Sequence, residues 1–144
     1  VDGQVEDTFM EWTTDAAPVS EGRLWTGRIL SGLAVAFLLF DSVIKFTNIQ
    51  PVVDSFTQLG YPVHLAVVIG SIELVCLIVY TTPRTAVLGA VLLTGYLGGA
   101  IATHTRVENP LFTHVLFPIY IAALIWGGLF LREPRLRALL PLRS

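Results

Sequence analysis

Residues 24–46 read LWTGRILSGLAVAFLLFDSVIKF. Between Arg28 and Asp41 the stretch carries no charged side chain. As a helix with ~1.5 Å rise per residue it would cross the ~30 Å hydrocarbon core of a bilayer. Comparable apolar blocks follow at residues 62–80, 85–104 and 111–131. Of the 144 residues, 53% are hydrophobic and 14% charged, whereas soluble domains carry about 25% charged side chains. A helix satisfies its own backbone hydrogen bonds inside lipid. The sequence therefore predicts an all-α, integral membrane four-helix bundle over residues 22–144, preceded by an acidic polar tail over 1–21.

The breaks between blocks have physical causes. Pro51 lacks an amide donor and turns Gln50 away from helix, which ends the first span after Asn48. Gly60-Tyr61-Pro62 opens the second span, Thr81-Thr82-Pro83 makes a tight turn, and Asn109-Pro110 starts the fourth. In the 46–61 connection, Val52, Val53, Phe56 and Leu59 share one helical face, which predicts a short helix lying in the membrane interface. The tail holds Asp2, Glu6, Asp7, Glu11, Asp15 and Glu21 with no Lys or Arg, a pattern expected of a mobile segment whose role the sequence leaves open. It lacks the basic start and apolar run of a signal peptide. A first residue of Val1 rather than Met is what processing or truncation would leave.

Four spans place both termini on one side. That side would hold Arg23, Arg28, Arg84, Arg132, Arg135, Arg137 and Arg143, against Lys45 and Arg106 on the other. The positive-inside rule then puts both termini in the cytoplasm, to which the acidic tail is no objection because Asp and Glu weigh little.

This orientation gives the polar residues a common neighbourhood. Asp41 and Lys45 stand one turn apart, acid first, the better order for a helical pair. Both fall in the outer third of the first span. His64 lies at the outer edge of the second span, and Glu73 about 16 Å in from Pro62, near the midplane. His104 and His114 close the third span and open the fourth. A charge at mid-bilayer costs at least ~2.5 kcal/mol and usually finds a partner, so Glu73 is expected to take up a proton or pair with Lys45, which can serve either acid in a shared polar cluster. In the competing reading Lys45 snorkels to the headgroups and the histidines are ordinary interface residues. Gly95, Gly98 and Gly99 in TGYLGGA, joined by Gly89, Ala100 and Gly127-Gly128, offer small surface for helix packing, within the bundle or against another subunit.

Other chemistries find no support. There is no P-loop, dinucleotide fingerprint, CxxC or HExxH, no diagnostic metal-ligand spacing, and no basic run suited to nucleic acid. A lone cysteine, Cys76, precludes an intrachain disulfide.

The stretches WTGRILSGLAVAFLLFDSVIKF, QLGYPVHLAVVIGSIELVCLIVYTTPRTAVLGAVLLTGYLGGAIATHTR and WGGLFLREPRLRALLPLR together resemble the DoxX-like family of small bacterial membrane proteins. The carrying pattern is a Lys ending span one, Gly-Tyr-Pro, a mid-span Glu-Leu, and Gly-Gly-Ala followed by Thr-His. The resemblance implies four transmembrane helices in a bacterial cytoplasmic membrane and marks Lys45, Glu73 and His104 as positions of interest. It also implies a redox association, since the family is named after a subunit of a quinone-linked oxidoreductase. Three functions then stand open. One is a redox-associated subunit with a quinone-like ligand in the outer half of the bundle. Another is a non-enzymatic accessory subunit packed among other membrane proteins or copies of itself. The third is a small proton-coupled transporter with Glu73 as coupling site. No electron carrier or cofactor motif is encoded, and whether the chain is an enzyme stays open.

Overall fold

The apolar blocks fold as helices, and the breaks between them set the boundaries. The computed structural model describes residues 19–139. Helix α1 covers Glu21–Ile44, α2 Gln50–Gln58, α3 Leu65–Thr81, α4 Ala86–Arg106, α5 Phe117–Arg132 and α6 Pro134–Leu139, with a π-helical turn at Leu111–Val115 leading into α5. Among the described residues there is no strand. Three segments are long and apolar enough to cross a membrane: Glu21–Ile44, Ala86–Arg106 and Leu111–Arg132. Helix α3, at 17 residues, is shorter. It starts at Leu65 rather than Pro62 because residues 62–66 form tight turns, with the Leu65 and Ala66 amides donating to the Pro62 and Val63 carbonyls at 3.0 Å. The expected tail boundary also moves, since Glu21 is the first residue of α1. Tail residues 1–18 lie outside the described residues, as does Arg143.

The connection between α1 and α3 contains the expected short helix, α2. Val52 and Phe56 are buried against Ala66, whereas Val53 and Leu59 are half-buried. Gly60 terminates α2 with a φ of 73°, and the Tyr61 amide reaches back to the Phe56 carbonyl at 2.9 Å. This is the left-handed helix ending that glycine adopts without a steric penalty.

Helices α1, α3, α4 and α5 form a closed ring, each packed on two neighbours, with α1 diagonal to α4 and α3 diagonal to α5. Helix α6 folds back on α5 and buries Leu136. The outer surface is apolar, unlike that of a water-soluble bundle, and the core mixes Leu38, Leu93, Ile125 and Leu129 with small and polar residues. Ser42, Glu73, Ala34 and Ala90 are fully buried, while Phe40, Ile72, Val75, Val91 and Phe112 are each more than half exposed. Where lipid gives helices no hydrophobic reason to associate, small residues and interhelical hydrogen bonds hold them together.

Both devices are visible. A Cβ on Gly27 would lie 2.8 Å from the Gly128 carbonyl oxygen, and one on Gly89 would run into the Tyr80 backbone, so α1/α5 and α3/α4 each approach to backbone contact. The Ser31 hydroxyl meets Tyr80 Oη at 2.9 Å, and Tyr80 Oη donates to the Ile125 carbonyl at 3.1 Å, linking α1, α3 and α5. Gly89 and Gly128 were expected as packing surface, but the Gly95, Gly98 and Gly99 stripe plays no such part within the chain. At Gly95, Gly98 and Gly99 a Cβ would meet no atom within 4 Å. A pattern of small residues identifies a surface that permits close approach, and here the ring uses other positions.

A substitution pair checks this assignment in thermal unfolding of detergent-solubilised protein. Gly89→Ala should cost about 1–3 kcal/mol through overpacking. Gly98→Ala should be neutral or stabilise by up to about 1 kcal/mol through helix propensity.

Candidate functional site

The site is built around one seam. Ser42 Oγ donates to the Gly70 carbonyl at 2.7 Å, and a Cβ on Gly70 would stand 3.0 Å from both the Ser42 carbonyl oxygen and Lys45 Cβ. This contact fixes the register of α1 against α3. Because α1 and α3 run antiparallel, Lys45 and Glu73 lie on opposite sides of this contact, and the long Lys45 stem, packed over Gly70, folds back along the seam to reach Glu73.

Lys45 Nζ bonds Asp41 Oδ2, Glu73 Oε2 at 2.7 Å and Tyr96 Oη at 3.2 Å. Tyr96 Oη in turn donates to Glu73 Oε2 at 3.0 Å. All three ammonium hydrogens are thus engaged. Exposure is graded across the cluster: the Asp41 side chain is 39% accessible, that of Lys45 12% and that of Glu73 0%. Asp41 therefore connects the cluster to the surface, and Glu73 is its sealed end. Glu73 Oε1 is buried without a hydrogen-bond partner. Two acids share one base, so the three groups take up one proton to reach neutrality.

Beside the cluster lies a cavity of about 630 Å³, walled by α1, α4 and α5 and roofed by α2. Its lining is largely apolar, including Phe37, Ile44, Val52, Phe56, Phe117 and Ile121. Asp41, Lys45, Tyr96 and His104 supply polar groups to the wall, whereas Glu73 stands behind Lys45 and Tyr96 and does not line it. Gly95, Gly99 and Ala100 face this space, so the small residues of α4 make room where they were expected to make contact.

Local backbone irregularity shapes the cavity. The Leu116 amide bonds the Leu111 carbonyl at 2.8 Å, a step longer than an α-helical bond, and Pro118 follows in the first turn of α5. Phe117 then meets Phe37 of α1 edge-on, with ring centroids 5.0 Å apart. Helix α2 is tied down at its end: Arg106 donates to the Leu59 carbonyl, Tyr61 Oη and Thr103 Oγ1 are 3.1 Å apart, and Gln58 reaches Asn109.

Of the residues expected from the sequence, Asp41, Lys45 and Glu73 are brought together. His104 and His114 are not bonded to them. They stand beside each other with ring centroids 5.7 Å apart, His104 Nδ1 accepting from Asn109 Nδ2 at 2.8 Å and His114 Nδ1 meeting Thr113 Oγ1 at 2.8 Å. His104 reaches the cavity wall; His114 is exposed. Sequence reasoning missed Tyr96, although it lies in the quoted TGYLGG and stands eight residues before His104, on nearly the same helical face. Among the described residues no set of three or more His, Cys, Asp or Glu side chains is grouped to hold a metal ion.

The ion cluster makes a direct thermodynamic prediction. Lys45→Met leaves two acids without their base and should destabilise the protein by about 3–5 kcal/mol. In a double-mutant cycle, Lys45→Met with Glu73→Leu should recover part of that loss, measured by unfolding in detergent.

In comparison with known proteins, a family model described as the DoxX-like family matches residues 29–128. No curated protein and no solved structure gives a match. The family and the long apolar helices mark a small multi-pass membrane protein.

Proposed function

From the premise that the chain belongs to the DoxX-like family, we propose that it is a redox-associated subunit holding a lipophilic, quinone-like molecule in the cavity between α1, α4 and α5. The observation that carries this reading is the position of Lys45 and Tyr96. They are at once members of a buried ionic cluster and polar points in the wall of an otherwise apolar space. Small-molecule sites combine an apolar enclosure with a few placed polar groups. A quinone carbonyl at Tyr96 or Lys45 would exchange one hydrogen bond of the cluster for another, while His104 offers a second polar point on the wall.

The cluster supplies proton chemistry and no electron chemistry. Asp41, Lys45 and Glu73 form a short chain from partly exposed to sealed, along which one proton passes without displacement of a helix. Electrons must come from a partner, because no electron-carrier motif is present in the sequence. In this reading α1, α3, α4 and the segment 111–132 are four spans of a bacterial cytoplasmic membrane. Both termini are cytoplasmic, the cavity lies in the outer half, and α2 rests in the outer interface.

A second reading rests on the open face of α4. Gly95, Gly98 and Gly99 have nothing packed on them, so a helix of another membrane protein or a second copy can approach there, making the chain an accessory subunit. Both readings use the same glycines and are separable. Gly95→Leu with Gly99→Leu fills the cavity wall without a clash inside the chain. Under the ligand reading it abolishes binding of a short-chain quinone analogue, followed by equilibrium dialysis in detergent, and leaves co-purifying chains unchanged. Loss of those chains with analogue binding intact would transfer support to the accessory reading. Lys45→Met should lower analogue affinity about tenfold, the worth of one hydrogen bond.

Orientation has its own test. A cysteine placed by Asn109→Cys should react with a membrane-impermeant thiol reagent in intact spheroplasts, and one placed by Arg135→Cys only after lysis. Native Cys76 is buried and gives low background.

A further inference from the structure

At the end of the bundle opposite the cavity, arginines gather from several elements. Arg23 and Arg28 lie in the first turns of α1, Arg84 joins α3 to α4, Arg132 ends α5, and Arg135 and Arg137 belong to α6. The ends meet in space: Gly27 lies against Gly128 and the Arg132 amide, and the Arg132 guanidinium sits over the Tyr80 ring at 5.4 Å. The described acids at this end are Glu21 and Glu133, yet the ion pairs among the described residues both belong to Lys45. Two of the arginines are recessed as well as unpaired. Arg132 Nε and Arg137 Nε are buried and have no hydrogen-bond partner. A buried guanidinium N–H without an acceptor is costly, and a phosphate oxygen is the acceptor that matches its geometry.

The flank of this basic end is apolar and outward-facing. Trp25, Ile29 and Leu88 are each more than half exposed, and the Arg28 guanidinium lies over the Trp25 ring at 5.6 Å. An aromatic ring beside a cation at a helix end is the arrangement found at the headgroup level of a bilayer. Positive charge held between membrane helices attracts anionic headgroups.

We infer that the α1, α5 and α6 end of this protein is a binding site for an anionic phospholipid, with Arg132 and Arg137 holding the phosphate and the Trp25–Ile29 flank carrying the acyl chains. This site rests on the helices spanning a bilayer and is independent of what the cavity holds. The ligand chemistry is a phosphate ester. A lipid supplies it together with apolar chains that the exposed flank accommodates, which free phosphate lacks.

Native mass spectrometry of the full chain, purified in detergent and offered equimolar phosphatidylglycerol and phosphatidylcholine, tests the site. Wild type should retain phosphatidylglycerol preferentially, and Arg132→Gln with Arg137→Gln should reduce that preference about thirtyfold. Exposed Arg28→Gln with Arg135→Gln, which removes no buried group, should reduce it in the same direction and keeps the test valid if the first pair fails to fold. Equal retention of both lipids by wild type, or an unchanged preference in either variant pair, overturns the proposal. Displacement of the lipid by millimolar inorganic phosphate would show a site for free phosphate and also overturns it. If preference emerges only when Asp2, Glu6, Asp7, Glu11 and Asp15 are neutralised, the acidic tail is the occupant and the lipid assignment falls. Quinone-analogue binding reads the cavity separately, so either conclusion can fail alone.

Discussion

The ammonium of Lys45 is the interaction on which the interior depends. A buried carboxylate such as Glu73 is tolerated in an apolar protein only when a charge of opposite sign is held against it. That charge has to arrive on a side chain long enough to cross between helices. Lys45 does so because Ser42 and Gly70 bring α1 and α3 close enough for its stem to lie along the seam. Asp41 and Tyr96 then complete the coordination of its three hydrogens. Were α1 and α3 to separate, the cluster would lose its base, and the ring would retain only backbone-to-backbone contact at the opposite end.

The two ends of the bundle thus work on different principles. At the arginine end, glycines and one tyrosine bring backbones into contact. At the lysine end, the same helices diverge around an open space and are held by charge and by the tied-down α2. Close packing gives rigidity, and the polar cluster gives a chemically addressable wall. A small membrane protein that has to hold a ligand needs both, because a ring packed tightly throughout leaves no cavity and one splayed throughout has no fixed geometry.

Much of this was legible in the sequence, for identifiable reasons. Four apolar blocks separated by Pro and Gly gave the helices, and the cost of an intramembrane charge paired Asp41, Lys45 and Glu73. The short helix after α1 was announced by the spacing of Val52 and Phe56. Depth arguments grouped His104 and His114 with the acids because they measure position along a helix and are blind to rotation about it. The same blindness hid Tyr96, whose hydroxyl matters only once α4 is known to lie diagonal to α1. Gly95 and Gly99 were read as contact surface since small residues permit approach, but permission does not decide which of several small faces is used. Of the glycines that do bring helices together, Gly89 and Gly128 were read as small surface, whereas Gly27 and Gly70 sit in no motif.

The Gly27–Gly128 crossing has a mechanical consequence. Backbones in direct contact there cannot approach further, so any change in the angle at which α1 and α5 cross pivots at this point. From Gly27 to Phe37 is about 15 Å along the helix, and a rotation of about 5° at the crossing carries Phe37 through roughly 1.3 Å. That lever arm ends at the Phe37–Phe117 pair on the cavity wall. A change of crossing angle would therefore alter the cavity from the far end of the molecule, about a pivot whose only chemical property is the absence of side chains.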